Sequence, residues 1–74
     1  MTRLRPIPFR KVRKALDRLG FHSVRQTGSH VIFQHADGRL VVLPRHDRED
    51  IRVPLLRIML TQGRIDAKEF MDLV

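Results

Sequence analysis

An Asp37-Gly38 dipeptide set between two short runs of alternating apolar residues constrains this chain more than any other feature. Asp-Gly in that setting signals a β-hairpin with a two-residue loop. It predicts strands over His30–Ala36 and Arg39–Leu43, with Pro44 ending the second because proline cannot donate to the ladder. A two-residue loop also fixes the register, with Ala36 opposite Arg39, His35 opposite Leu40 and Phe33 opposite Val42. Opposed residues share a face of the sheet. Val31, Phe33, Leu40 and Val42 are therefore assigned to the core, and His30, Ile32, Gln34, Val41 and Leu43 to the opposite face.

The other elements follow from local spacing. Residues 21–27, FHSVRQT, read as another strand, and Gly28-Ser29 as the turn after it. Upstream, Phe9, Val12, Ala15 or Leu16, and Leu19 recur at helical intervals. They predict a helix over 8–19, opened by Pro8, whose missing N–H costs nothing there, and stopped by Gly20. Residues 45–53, RHDREDIRV, read as a charged loop. Pro54 opens a second helix with Leu55, Ile58, Met59 and then Gln62 on one side, ended by Gly63. Asp66 is placed to cap a last helix over 67–73, with Glu69 as its capping-box partner and Ile65 and Phe70 as a hydrophobic staple. The order is α-β-β-β-α-α, and 74 residues suffice for one domain, 1–74.

Charge is the first functional clue. Fifteen Lys and Arg oppose eight Asp and Glu, a net of +7. Asp17 is the one acid in the first 35 residues, against eight basic side chains; the rest of the chain is balanced. A one-sided positive field draws polyanions. Twelve of the fifteen cations are arginine, which suits bidentate phosphate contacts. The plainer reading is a solubilising surface. With no cysteine there is neither a disulfide nor a cysteine zinc site. No apolar run is long enough for a signal peptide or a membrane span, so a soluble, cytoplasmic protein is expected.

The segment from Leu19 to His46 resembles the HicA toxin family. The residues that carry the likeness are Gly20-Phe21, Val24-Arg25-Gln26, Gly28-Ser29-His30, the Asp37-Gly38 hairpin and Pro44-Arg45-His46; Leu55 to Gly63 is similar to the family's second helix. The resemblance implies an α+β fold like a double-stranded-RNA-binding domain, a three-stranded antiparallel sheet with helices on one face. It implies cleavage of messenger RNA, a HicB-type antitoxin partner, and catalysis by the histidine of the triplet, His30. The chain departs from duplex binders at the start of the second helix. Their lysine cluster is replaced here by Glu49-Asp50-Ile51-Arg52-Val53-Pro54, which does not suit recognition of a long duplex.

Imidazole titrates near neutrality, so His30 can take the proton from a ribose 2′-hydroxyl that attacks the adjacent phosphorus. Gly28 would let the backbone approach RNA, and Ser29 could donate to a phosphate. His46 suits either a general acid or a phosphate contact, against the reading of a polar loop residue. Arg25, Arg39, Arg45 and Arg48 are candidate phosphate contacts, with Lys11 and Lys14 extending the surface. His22 and His35 read as structural or solvent-facing. The four histidines match no common zinc spacing, so no metal and no cofactor are expected. Two other functions fit the same residues. One is a non-catalytic RNA-binding module of the same fold. The other is a DNA-binding helix-turn-helix at Gly63, disfavoured because its recognition helix is net acidic.

Overall fold

The computed structural model describes residues 2–46 and 48–74; Met1, and Asp47 of the expected charged loop, lie outside the described residues. The chain runs β1 (Ile7–Pro8), α1 (Phe9–Arg18), β2 (Phe21–Thr27), β3 (His30–His35), β4 (Leu40–Pro44), β5 (Asp50–Ile51), α2 (Val53–Gly63) and α3 (Ala67–Asp72). The long strands form an antiparallel sheet ordered β2-β3-β4. Val31, Phe33, Val41 and Leu43 on one face of it are buried with Val12, Ala15 and Leu16 of α1 and Leu56 and Met59 of α2. This is the expected α+β arrangement.

The hairpin register differs from the expected one by a single residue. Val31 pairs with Leu43, Ile32 with Val42, Phe33 with Val41 and Gln34 with Leu40. The loop holds three residues, Ala36-Asp37-Gly38, rather than two. The His35 N–H donates to the Arg39 carbonyl and the Gly38 N–H to the His35 carbonyl, both at 2.9 Å. Gly38 sits at φ 99°, the left-handed position that a three-residue hairpin loop needs. Because side chains alternate with period two, one residue of slip turns the whole strand over. Val41 and Leu43 are fully buried, whereas Leu40 and Val42 are 49% and 38% exposed. The assignment of Leu40 and Val42 to the core, and of Val41 and Leu43 to the open face, is thus overturned. Leu40-Val41-Val42-Leu43 alternates equally well in either phase, so the turn decides.

In β2, the register against β3 shifts between Ser23 and Arg25. Val24 is left as an extra residue there, 56% exposed, which is the signature of a β-bulge. On the far edge of the sheet, the Val42 N–H donates to Gln62 Oε1 at 3.4 Å.

The helices begin and end close to their sequence signals. Pro8 stands at the N-cap of α1 rather than inside it, and Leu19 is the C-cap with Gly20 just beyond. The buried stripe of α2 is Leu56, Met59, Leu60 and Gly63, one residue round from the expected one; Ile58 is exposed and Leu55 only partly buried. Both stripes are apolar, and Gly63 favours the observed one because a Cβ there would come within 2.8 Å of the Ile65 side chain. The helix then closes with Arg64 in the left-handed conformation at φ 51°, a place glycine usually takes. Asp66 caps α3 as expected, accepting from the Glu69 N–H at 3.0 Å, and Phe70 is fully buried.

One pairing has no forerunner in the sequence pattern. Ile7 pairs with Ile51 and Pro8 with Asp50, so the loop expected over 45–53 contains a short strand. Both isoleucines are buried as members of the hydrophobic core, and that burial favours the clasp.

Candidate nucleic-acid interface

The Gly28-Ser29 turn that joins β2 to β3 is tied down from two sides. Gly28 adopts φ 59°, and a Cβ on it would meet nothing within 4 Å, so the position demands a conformation rather than space. Its carbonyl accepts from Gln26 Nε2 at 3.1 Å. The Ser29 carbonyl accepts from the Arg45 N–H, which fixes the turn to the chain leaving β4.

His30 opens β3 between Thr27 of β2 and Pro44 of β4, and it is exposed. Arg25 pairs with Ile32, so Arg25, Thr27, His30, Ile32 and Val42 share the face of the sheet that no helix covers. His46 is also exposed, two residues past the partner of His30, and its carbonyl accepts from the Glu49 N–H at 3.2 Å. Gly28, Ser29, His30 and Arg25 are therefore gathered at one end of the sheet. Arg45 joins them through its backbone N–H on the Ser29 carbonyl. Its guanidinium lies 5.9 Å from the centre of the Phe9 ring, on the helix side of the sheet.

Arg39 lies at the opposite end of β3 and β4 and is fully committed there. Its Nε donates to both carboxylate oxygens of Asp37 at 3.1 and 2.9 Å, and its Nη1 to the Gly63 carbonyl at 2.6 Å. Its guanidinium also stacks 5.0 Å from the Phe21 ring centre. It joins the hairpin to α2 and is separate from the group around His30. The same bonds from Arg39, side chain first and then backbone, hold the Asp37 carboxyl down at about 2.

Beside α1 runs a groove of about 890 Å³ whose walls include Arg10, Arg13, Lys14, Arg18 and Arg45. The four helix residues recur at helical spacing, on a stripe next to the buried one. Spacing alone makes that stripe visible, but only β2 lying alongside turns it into a wall. Of the four, Lys14 is a candidate from the sequence; Arg10, Arg13 and Arg18 join it only in the structure. Asp17, also in the wall, holds His22 Nδ1 at 2.7 Å, so the helix end is pinned to the start of β2. His35 packs edge-on against Phe21 with ring centres 5.1 Å apart, a structural role.

Among the described residues, no three His, Cys, Asp or Glu side chains cluster as a metal site, and no helix is long and apolar enough to cross a membrane. In α3, Lys68 pairs with Asp72 at 2.9 Å and the buried Phe70 anchors the helix to the core, so it is poorly equipped to read a DNA groove. A comparison with curated proteins finds no similar sequence. The family model described as the HicA toxin of bacterial toxin–antitoxin systems matches residues 9–65, from the first residue of α1 through all three long strands to the end of α2. With that much of its length matched, the chain belongs to the HicA toxin family and is the toxin half of a toxin–antitoxin pair.

Proposed function

We propose that this toxin is an endoribonuclease that cuts messenger RNA with His30, and that residues 1–74 act as a single HicA-like unit. The observation that carries this reading is the placement of His30: an exposed imidazole at the foot of a turn anchored by the Arg45–Ser29 bond, on the same face as Arg25. His30 accepts the proton of a ribose 2′-hydroxyl; that oxygen bonds to the neighbouring phosphorus and the 5′-oxygen leaves with a proton. His46, or water, supplies that second proton. The products are a 2′,3′-cyclic phosphate and a 5′-hydroxyl, so the step needs no metal. Gly28 and Ser29 present backbone and hydroxyl to the phosphate, and Arg25 and Arg45 neutralise its charge from either side of the sheet.

The outer face also supports a reading of how a HicB-type antitoxin silences the toxin. Ile32, Leu40 and Val42 form an apolar patch beside His30, and a partner seated there covers the patch and the imidazole together.

Expression of wild type beside His30→Ala, with growth and RNA integrity followed together, tests the reaction. The alanine variant is expected to stay folded and to lose about 10²-fold or more in cleavage rate, while wild-type cleavage persists in excess chelator. A folded alanine variant that cuts at the wild-type rate overturns the assignment. Wild type that binds RNA but leaves it intact favours the non-catalytic module.

A further inference from the structure

We infer that the groove between α1 and β2, on the far side of the sheet from His30, is a second RNA-binding site that holds the backbone of a single strand. The inference rests on the reading of the toxin as an RNA-acting protein, but it concerns a different surface.

Three observations carry it. The first is charge. Arg10, Arg13, Lys14, Arg18 and Arg45 line a continuous concave surface that holds one carboxylate among the described residues, and that carboxylate, Asp17, is already engaged by His22. Concave walls of one sign focus the field and concentrate a polyanion.

The second is connection. Arg13 and Arg45 also wall a smaller cleft that continues past Arg25 and Gln26 along β2. That cleft leads towards the Gly28-Ser29 turn, and the Arg45 backbone is bonded to Ser29. A strand lying in the groove is thereby led to the edge of the turn that carries His30.

The third is the floor. Phe9, Phe21 and Phe33 lie beneath the groove, but they are only 7%, 1% and 1% exposed. They offer almost no ring surface for base stacking, which is what sequence-tolerant single-strand binders normally add to charge. The one open ring described in the lining is His22, held by Asp17, so the groove reads chiefly phosphate and most base preference must arise elsewhere. A duplex is disfavoured because the start of α2 mixes Glu49 and Asp50 with Arg52 instead of presenting a basic cluster.

Binding of a labelled mixed-sequence 12-nucleotide RNA to the His30→Ala protein, in a salt series, tests the inference independently of catalysis. In that background, Arg13→Glu/Lys14→Glu is expected to weaken binding at least tenfold and to flatten the plot of log affinity against log salt by about 1.4. Arg57→Glu/Arg64→Glu, on α2 and its cap, is expected to change affinity less than twofold. Arg13→Ala/Lys14→Ala keeps helix propensity and guards against misfolding of the reversed variant; it is expected to lose severalfold, with half of the same slope change or more. Permuting the RNA sequence should leave the groove's contribution unchanged. Equal losses from the two reversed pairs would overturn the inference. So would unchanged RNA affinity in a variant that has lost binding to poly-glutamate, since the groove would then be built for an acidic protein segment. A failure here leaves His30 untouched, because cleavage is measured separately in the wild-type background.

Discussion

Asp37 and Arg39 show how much one loop residue can settle. The carboxylate accepts from the backbone N–H and the Nε of Arg39, and His35 Nδ1 lies 3.1 Å away. A carboxylate gripped in this way keeps its charge to lower pH than usual, here to about 2 against an ordinary 3.8. The linkage then has a definite sign. A group whose folded pKa is depressed lends stability that is complete above its unfolded value and is lost as pH falls through the folded one. The hairpin is therefore expected to lose support between about pH 4 and pH 2, the window set by those two values. Carboxyl-carbon NMR should give an Asp37 midpoint near 2, returning towards 3.8 in Arg39→Ala. A midpoint already at the ordinary value in wild type would show that the grip is absent in solution. Asp37→Asn should remove the acid sensitivity in that window while leaving the turn in place.

At the scale of elements, the hairpin separates what spacing can tell from what it cannot. The existence of α1, β2, β3, β4, α2 and α3, and their order, was legible because each carries its own period and its own stop signals. The phase of β4 was not, because four consecutive apolar residues satisfy both faces and the choice passes to the loop. The face of α2 was hidden for the same reason, since Leu55, Leu56, Ile58, Met59 and Leu60 offer two overlapping stripes. The β1–β5 clasp escaped because two residues carry no period at all. At the site, the motif residues could be named one by one, but the sheet distributes them: Arg25 beside His30, Arg45 turned to the other face, Arg39 at the other end. The corrected phase makes a sharp prediction. Val41→Glu places a charge in the core, and its cost, on the order of 4 kcal/mol or more, is enough to unfold so small a domain. Val42→Glu alters a half-open position and should cost about 1 kcal/mol or less while weakening antitoxin binding. Thermal melts and antitoxin titrations of the two variants distinguish them; the reverse order of stabilities would restore the two-residue loop.

Over the whole molecule, the two proposed sites lie on opposite faces of the sheet. One side shows His30 with an apolar patch; the other carries the cationic helix α1 and the groove beside it. A partner on the first side hides the imidazole yet leaves the groove open. An antitoxin-bound toxin would then still hold RNA without cutting it. The Val24 bulge has a consequence of another kind. Strands at the margins of a sheet are templates on which further chains can add, and long, straight margins invite aggregation. The β4 margin is blunted by Gln62 on the Val42 N–H and by Pro44, which has none to offer. On the β2 margin, Val24 interrupts the ladder instead. Deleting Val24 would leave Ser23 opposite Phe33 and Arg25 opposite Ile32 with no gap, a seamless margin in a domain of the same fold. Such a deletion is expected to elute as monomer when dilute and as larger, concentration-dependent species on size-exclusion chromatography, whereas the parent stays monomeric. By this account the exposed valine of β2 is kept there to stop the toxin from recruiting copies of itself.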